Sequence, residues 1–204
     1  MGFFTKSENR SRPRFTGAAD GTASTLWIVA LTLASTGATL ALACATPFTA
    51  LAALAATQMR GRDGIPLMVV AWAASQAVGF GLHDYPRDAT TLAWGVALCI
   101  AAVACVIAAR QAAVRMPNSS AFSRIAVAYL VASVAFKAVI LLWSFGLGGV
   151  DTALSPAINA RQLVRNGAIL VALYGLCRAL IAIGMPGIPR DRDTSGTEGS
   201  VAIC

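Results

Sequence analysis

The chain is a succession of apolar runs separated by short polar connectors. No run alternates apolar and polar residues as a half-buried strand would. Most are apolar on every side and close to the roughly 20 helical residues that cross a bilayer core of about 30 Å. Residues 126–146 carry the pattern furthest, with Lys137 as their one charge. Residues 65–82 form another such run, interrupted by Ser75 and Gln76, and residues 89–109 a third. A last helix is predicted to open on Ser155-Pro156, an N-cap followed by a first-turn proline, and to close near Met185-Pro186-Gly187.

The stretch 24–59 contains no charge. As one straight helix it would extend about 54 Å, far beyond a hydrocarbon core. A break is therefore predicted at Cys44-Ala45-Thr46-Pro47-Phe48, with Thr46 as N-cap and Pro47 in the first turn. That divides the stretch into a helix over 24–44 and a shorter one over 47–59. The fold class follows: all-α, a polytopic transmembrane bundle of five or six spans over residues 24–185. Residues 1–23 are expected to form a basic, disordered cytoplasmic tail, since Pro13, Gly17 and Gly21 discourage helix. Residues 186–204 are polar and expected to be disordered as well.

Composition agrees with the pattern. Apolar residues make up 57% of the 204 and charged residues 12%, about half the ~25% usual in soluble domains. The length suits one bundle and leaves no room for a separate soluble domain. A net charge of +7 on a soluble protein would suggest nucleic acid. Here the basic residues sit in connectors and tails, where the positive-inside rule places them, so no nucleic-acid partner is expected.

That rule also orients the chain. Arg60 and Arg62, the loop with Arg110, Arg115 and Arg124, and the tail with Arg190 and Arg192 should be cytoplasmic. The turns at Asp84/Asp88 and Asp151 should face outward. Six spans also keep Lys6, Arg10, Arg12 and Arg14 inside, whereas five spans put them outside. The alanine-rich composition and the lack of lipidation signals point to a bacterial inner membrane, with the C-terminus cytoplasmic. The expected surroundings are the lipid bilayer and either a membrane-protein partner or a second copy.

Lys137 is the principal candidate for chemistry. A cation inside a span costs at least ~2.5 kcal/mol, so it needs a partner, a route to the headgroups, or a ligand. It lies about nine residues, or ~14 Å, from the outward end of its helix. Arg161 and Arg165 share one face near the start of the last helix, with Gln162 and Asn166 beside them. Together with Lys137 they could form an anion site, or they could anchor the helix at headgroups. Gln76 is a polar residue in mid-span and a further candidate for ligand binding. His83 and Asp84 are adjacent and could carry protons.

The remaining features are structural. Cys44, Cys99, Cys105 and Cys177 fall in apolar runs, Cys204 is the last residue, and none forms a CxxC pair. They read as small buried hydrophobes, and neither a metal site nor a cofactor is expected. Ala30, Ala34 and Ala38, like Ala52 and Ala56, recur at helical spacing and permit close packing. Trp27, Trp94 and Trp143 fall near span ends, as interfacial aromatics do. Phe80-Gly81-Leu82 and Phe145-Gly146-Leu147 form a faint internal echo before Pro86 and Pro156.

No nucleophile, zinc-protease or phosphate-loop motif is present, so no catalytic residue is expected and the protein is not read as an enzyme. Two functions remain. One is a non-catalytic subunit or scaffold of a membrane complex. The other is a small-solute carrier, of anions above all, with Lys137 in a buried site. Orientation can be checked directly. Cysteine labelling in intact cells should find the connector around Arg115 protected and the turn around Asp84 reactive. The opposite pattern overturns the layout.

Overall fold

The computed structural model describes residues 16–41 and 47–183. Among them are seven helices and no strand: α1 Thr16–Ala41, α2 Phe48–Gln58, α3 Gly61–Leu82, α4 Ala89–Val114, α5 Ala121–Leu147, α6 Val150–Leu154 and α7 Pro156–Ala182. Four of them, α3, α4, α5 and α7, are long and apolar enough to cross a membrane. Their outward faces carry large apolar side chains such as Leu142, Val164 and Val171, each at least 70% exposed. A soluble protein would bury these groups, whereas lipid solvates them.

The helix ends follow local chemistry. Asp88 caps α4 by accepting the Thr91 N–H at 2.6 Å, and Ser120 caps α5 by accepting the Ser123 N–H at 3.1 Å. Gly148 and Gly149 end α5 with φ of +87° and +90°, a conformation that costs glycine little. The reversal lets α6 pack against α5 and then lead into α7. Val150 and Asp151, expected as the end of a loop over residues 148–151, instead open the single turn of α6. Arg60 to Gly64, expected as a turn, is mostly helix: Met59 and Arg60 are extended, and α3 starts at Gly61. Asp63 in its first turn favours that start by placing a negative charge at the positive helix end.

Helix α2 is the centre of the bundle. It packs against α3, α4, α5 and α7. Ala50 through Ala55 are all at most 1% exposed, so this helix has no solvent or lipid face. Its alanines make that enclosure possible, because small side chains let four neighbouring backbones approach at once. Ala101, Ala102, Cys105 and Ala109 of α4 and Ala128 and Ala132 of α5 meet them with equally small groups. The Cys105 thiol donates to the Ala132 carbonyl at 3.2 Å and joins α4 to α5. Trp72 of α3 donates its indole N–H to the Gly95 carbonyl of α4 at 2.8 Å.

Several expectations are revised. Helix α1 begins at Thr16, inside the stretch 1–23 expected to be an unstructured tail. No proline lies between Pro13 and Pro47, and Ala18 and Ala19 favour helix enough to carry Gly17 and Gly21. Pro47 is the N-cap of α2 rather than its first residue, its carbonyl accepting the Leu51 N–H at 2.9 Å. Thr46, Cys44, Cys204 and residues 186–204 lie outside the described residues. Trp27, expected at the interface, is fully buried in the core. The eleven residues of α2 extend about 17 Å, roughly half a hydrocarbon core. One of the expected six spans thus falls on a helix of half height.

Gly64 tests the packing. A Cβ there would stand 3.0 Å from the Val106 Cγ2 of α4 and 3.8 Å from the Ala55 Cβ of α2. Gly64→Val should overpack this three-helix seam and cost on the order of 1–3 kcal/mol. Thermal unfolding in detergent should show a lower midpoint than wild type.

Candidate functional site

A cavity of about 570 Å³ lies between α5, α6 and α7, with Thr49 of α2 reaching it. That volume is in the range of small-molecule sites, roughly 300–1,000 Å³. Most of its lining is apolar: Leu130, Val134, Phe136, Ala138 and Leu141 from α5, and Ala153, Leu154, Ala160 and Leu163 from α6 and α7. The polar lining is Thr49, Ser133, Lys137, Asn159, Gln162 and Asn166.

Hydrogen bonds between elements hold the walls. The Tyr129 hydroxyl of α5 donates to the Leu163 carbonyl of α7. Asn159 donates its amide N–H to the Ala153 carbonyl at 3.1 Å and ties α7 to α6. Ser133 turns its hydroxyl back onto the Tyr129 carbonyl at 2.8 Å.

Two amide oxygens of the lining are left over. Asn159 Oδ1 and Asn166 Oδ1 are buried without a hydrogen-bond partner, while the Thr49 hydroxyl stands beside that of Tyr129. Thr49 and Asn166 are each only 4% exposed. A buried polar group without a partner costs about 1–3 kcal/mol, so two on one cavity are a feature to be explained. Lys137 is half-buried, and no carboxylate lines the cavity with it. Asp84, Asp88 and Asp151, the outer acids that could have paired with it, are all exposed on connectors or the short α6.

The start of α2 adds to this charge. Its first N–H groups have no acceptor within the helix, and the N-cap Pro47 makes no side-chain cap. Thr49 stands in that first turn. A helix N-terminus carries about half a positive charge. The site thus combines one lysine, one helix N-terminus and several hydrogen-bonding groups in an otherwise apolar wall.

The other expected site residues are distributed differently. Arg161 is exposed and Arg165 half-buried, and neither lines the cavity. Each helical residue turns about 100° from the last. Gln162 and Asn166, one place further along from each arginine, therefore face α5 instead. Gln76 lies in another seam, where its Oε1 would stand 3.0 Å from a Cβ added to Gly95. It donates to the Ser75 hydroxyl at 3.5 Å. His83 and Asp84 are exposed at the end of α3. The His83 ring stacks on Tyr85, with centroids 6.0 Å apart, and Asp84 takes a positive φ of 48°. Sequence reasoning missed Thr49, Ser133 and Asn159. A signal for Thr49 was available, since it follows the predicted helix start at Pro47 by two residues.

Fold and surface together define a multi-pass α-helical membrane protein. Comparison with known protein families, with curated proteins and with solved structures finds no match. The functional reading therefore rests on the cavity.

Outside the spans, Asp88 gives a pH test of the α4 cap. The Thr91 N–H holds its carboxyl below the ordinary value of 3.8. A depressed folded-state value means that the cap stabilises fully above the unfolded value and fades as pH falls through the folded one. Asp88→Ala should lower the melting temperature near neutral pH, and the deficit should shrink below about pH 4. Asp88→Asn should keep the cap without that pH dependence.

Proposed function

We propose that this protein binds a small anionic solute in the Lys137 cavity, as a carrier or as the membrane subunit of one, and performs no covalent chemistry. The supporting observation is the convergence of Lys137, buried Thr49 and buried, unpartnered Asn166 on one cavity whose lining holds no acid. A cation in such a wall is costly unless something of opposite charge joins it. A half-height helix that points its N-terminus at mid-membrane is the kind of device by which carriers hold anionic groups.

The same reading has a topology. Helices α3, α4, α5 and α7 cross the bilayer, with their arginine-bearing connectors on the inner side of a bacterial inner membrane. The apolar part of α1, Gly21–Ala34, and the whole of α2 enter from that side and return to it. Both termini are then cytoplasmic. Thr49 lies about 14 Å along the axis of α2 from its inner end at Gln58, which puts the cavity floor near the bilayer midplane.

A scaffold role draws on the same apolar exterior. Nothing on that exterior selects a protein over lipid, so the cavity favours the solute reading. Lys137→Met separates the two. Solute profiles of cells expressing the wild type should differ from those of cells without it, and Lys137→Met should remove the difference at unchanged expression. Unchanged fluxes, with loss of a co-purifying membrane protein instead, would favour the scaffold.

A further inference from the structure

The cavity's two ends differ in a way that specifies its ligand further. Its inner polar residues, Thr49 and Asn166, are each 4% exposed. Among its apolar residues, Val134 is 69% exposed, Leu154 57% and Leu130 52%. Val134 and Leu130 lie on α5, a membrane-crossing helix with its outward side apolar. Such side chains face hydrocarbon. The cavity thus runs from a lipid-facing apolar rim past the half-buried Lys137 to a buried polar floor.

We propose that it takes an amphiphilic monocarboxylate from the bilayer, with the carboxylate on Lys137 and Thr49 at the α2 N-terminus and the chain along Leu130 and Val134. This rests on the solute-binding reading above and names its substrate class. The charge balance favours a monoanion. One ammonium and about half a charge from the helix fully neutralise one negative charge, whereas a second would stay partly uncompensated in a mostly apolar wall, which is costly. A carboxylate accepts several hydrogen bonds, and the floor offers donors: the ammonium, the Thr49 hydroxyl and the first N–H groups of α2. Asn166 supplies another once its amide turns its NH₂ group inward.

A small hydrated anion would gain nothing from the apolar rim. It would also have to cross hydrocarbon to reach this mouth. A neutral amphiphile would fit the rim and leave Lys137 without a counter-charge. The volume, about 570 Å³, accommodates a head and one chain in the small-molecule range.

The test uses the full chain in lipid nanodiscs and a fatty acid carrying a photoreactive diazirine in its chain. Illumination should label the α5 segment 130–141, and unlabelled decanoate should compete. Decanol and inorganic phosphate should not. Lys137→Met should reduce labelling at least about tenfold, while Lys137→Arg should retain most of it. Thr49→Val keeps the side-chain shape, loses one hydroxyl and should weaken labelling while the protein still folds, with a melting temperature within a few degrees of wild type. Competition by decanol as strong as by decanoate, or undiminished labelling of Lys137→Met, overturns the carboxylate assignment. Competition by phosphate replaces the amphiphile with a small anion and leaves the solute reading standing. Absence of labelling on α5 also rejects the amphiphile. The solute reading falls with it only if Lys137→Met leaves every cellular flux unchanged as well.

Discussion

The close enclosure of α2 is the constraint on which the rest of the structure depends. An eleven-residue helix is marginal alone in water and too short to span lipid. It persists here because α3, α4, α5 and α7 surround it. In a membrane, apolar area alone does not drive helices together, since lipid tails are as apolar as leucine. Close van der Waals packing does. Ala50, Ala52, Ala53 and Ala55, against Ala101, Ala102, Ala128 and Ala132, supply the flat surfaces that such packing needs.

The cavity is the geometric remainder of that arrangement. The surrounding helices run for 22 to 27 residues, and the central one runs for eleven. Among the described residues no helix continues α2 beyond its start, and α5 and α7 are left facing each other across a gap that α6 partly closes. Thr49, in the first turn of the central helix, lines the same cavity as Lys137 and Asn166. Shape and charge at the site thus share one cause.

Helical class and membrane character were legible from run length and charge placement, because both depend only on one-dimensional pattern. The break before α2 was legible from Pro47, and the start of α7 from Ser155-Pro156. Start positions elsewhere were less so. Asp63 extended α3 toward Arg60, and nothing in the sequence stopped α1 before Thr16. Lys137 stood out because a charge in a span is conspicuous. Its neighbours did not. Arg161 and Arg165 drew attention through their charge, yet Gln162 and Asn166, a 100° rotation away, line the cavity. Which stripe of α7 meets α5 is a property of helix packing, and a helix apolar on nearly every side does not reveal it. Trp27 shows the same limit. Its position near a span end suggested a headgroup contact, while tertiary packing placed it in the core.

The short central helix also bears on how the chain reaches its final form in the cell. Ribosomes deliver α2 before any of the helices that enclose it. Too brief to hold a bilayer by itself, it gains its enclosure only once α4, α5 and α7 have been threaded. An early segment thus depends on late ones, and the completeness of the ring decides whether that segment has anywhere to go.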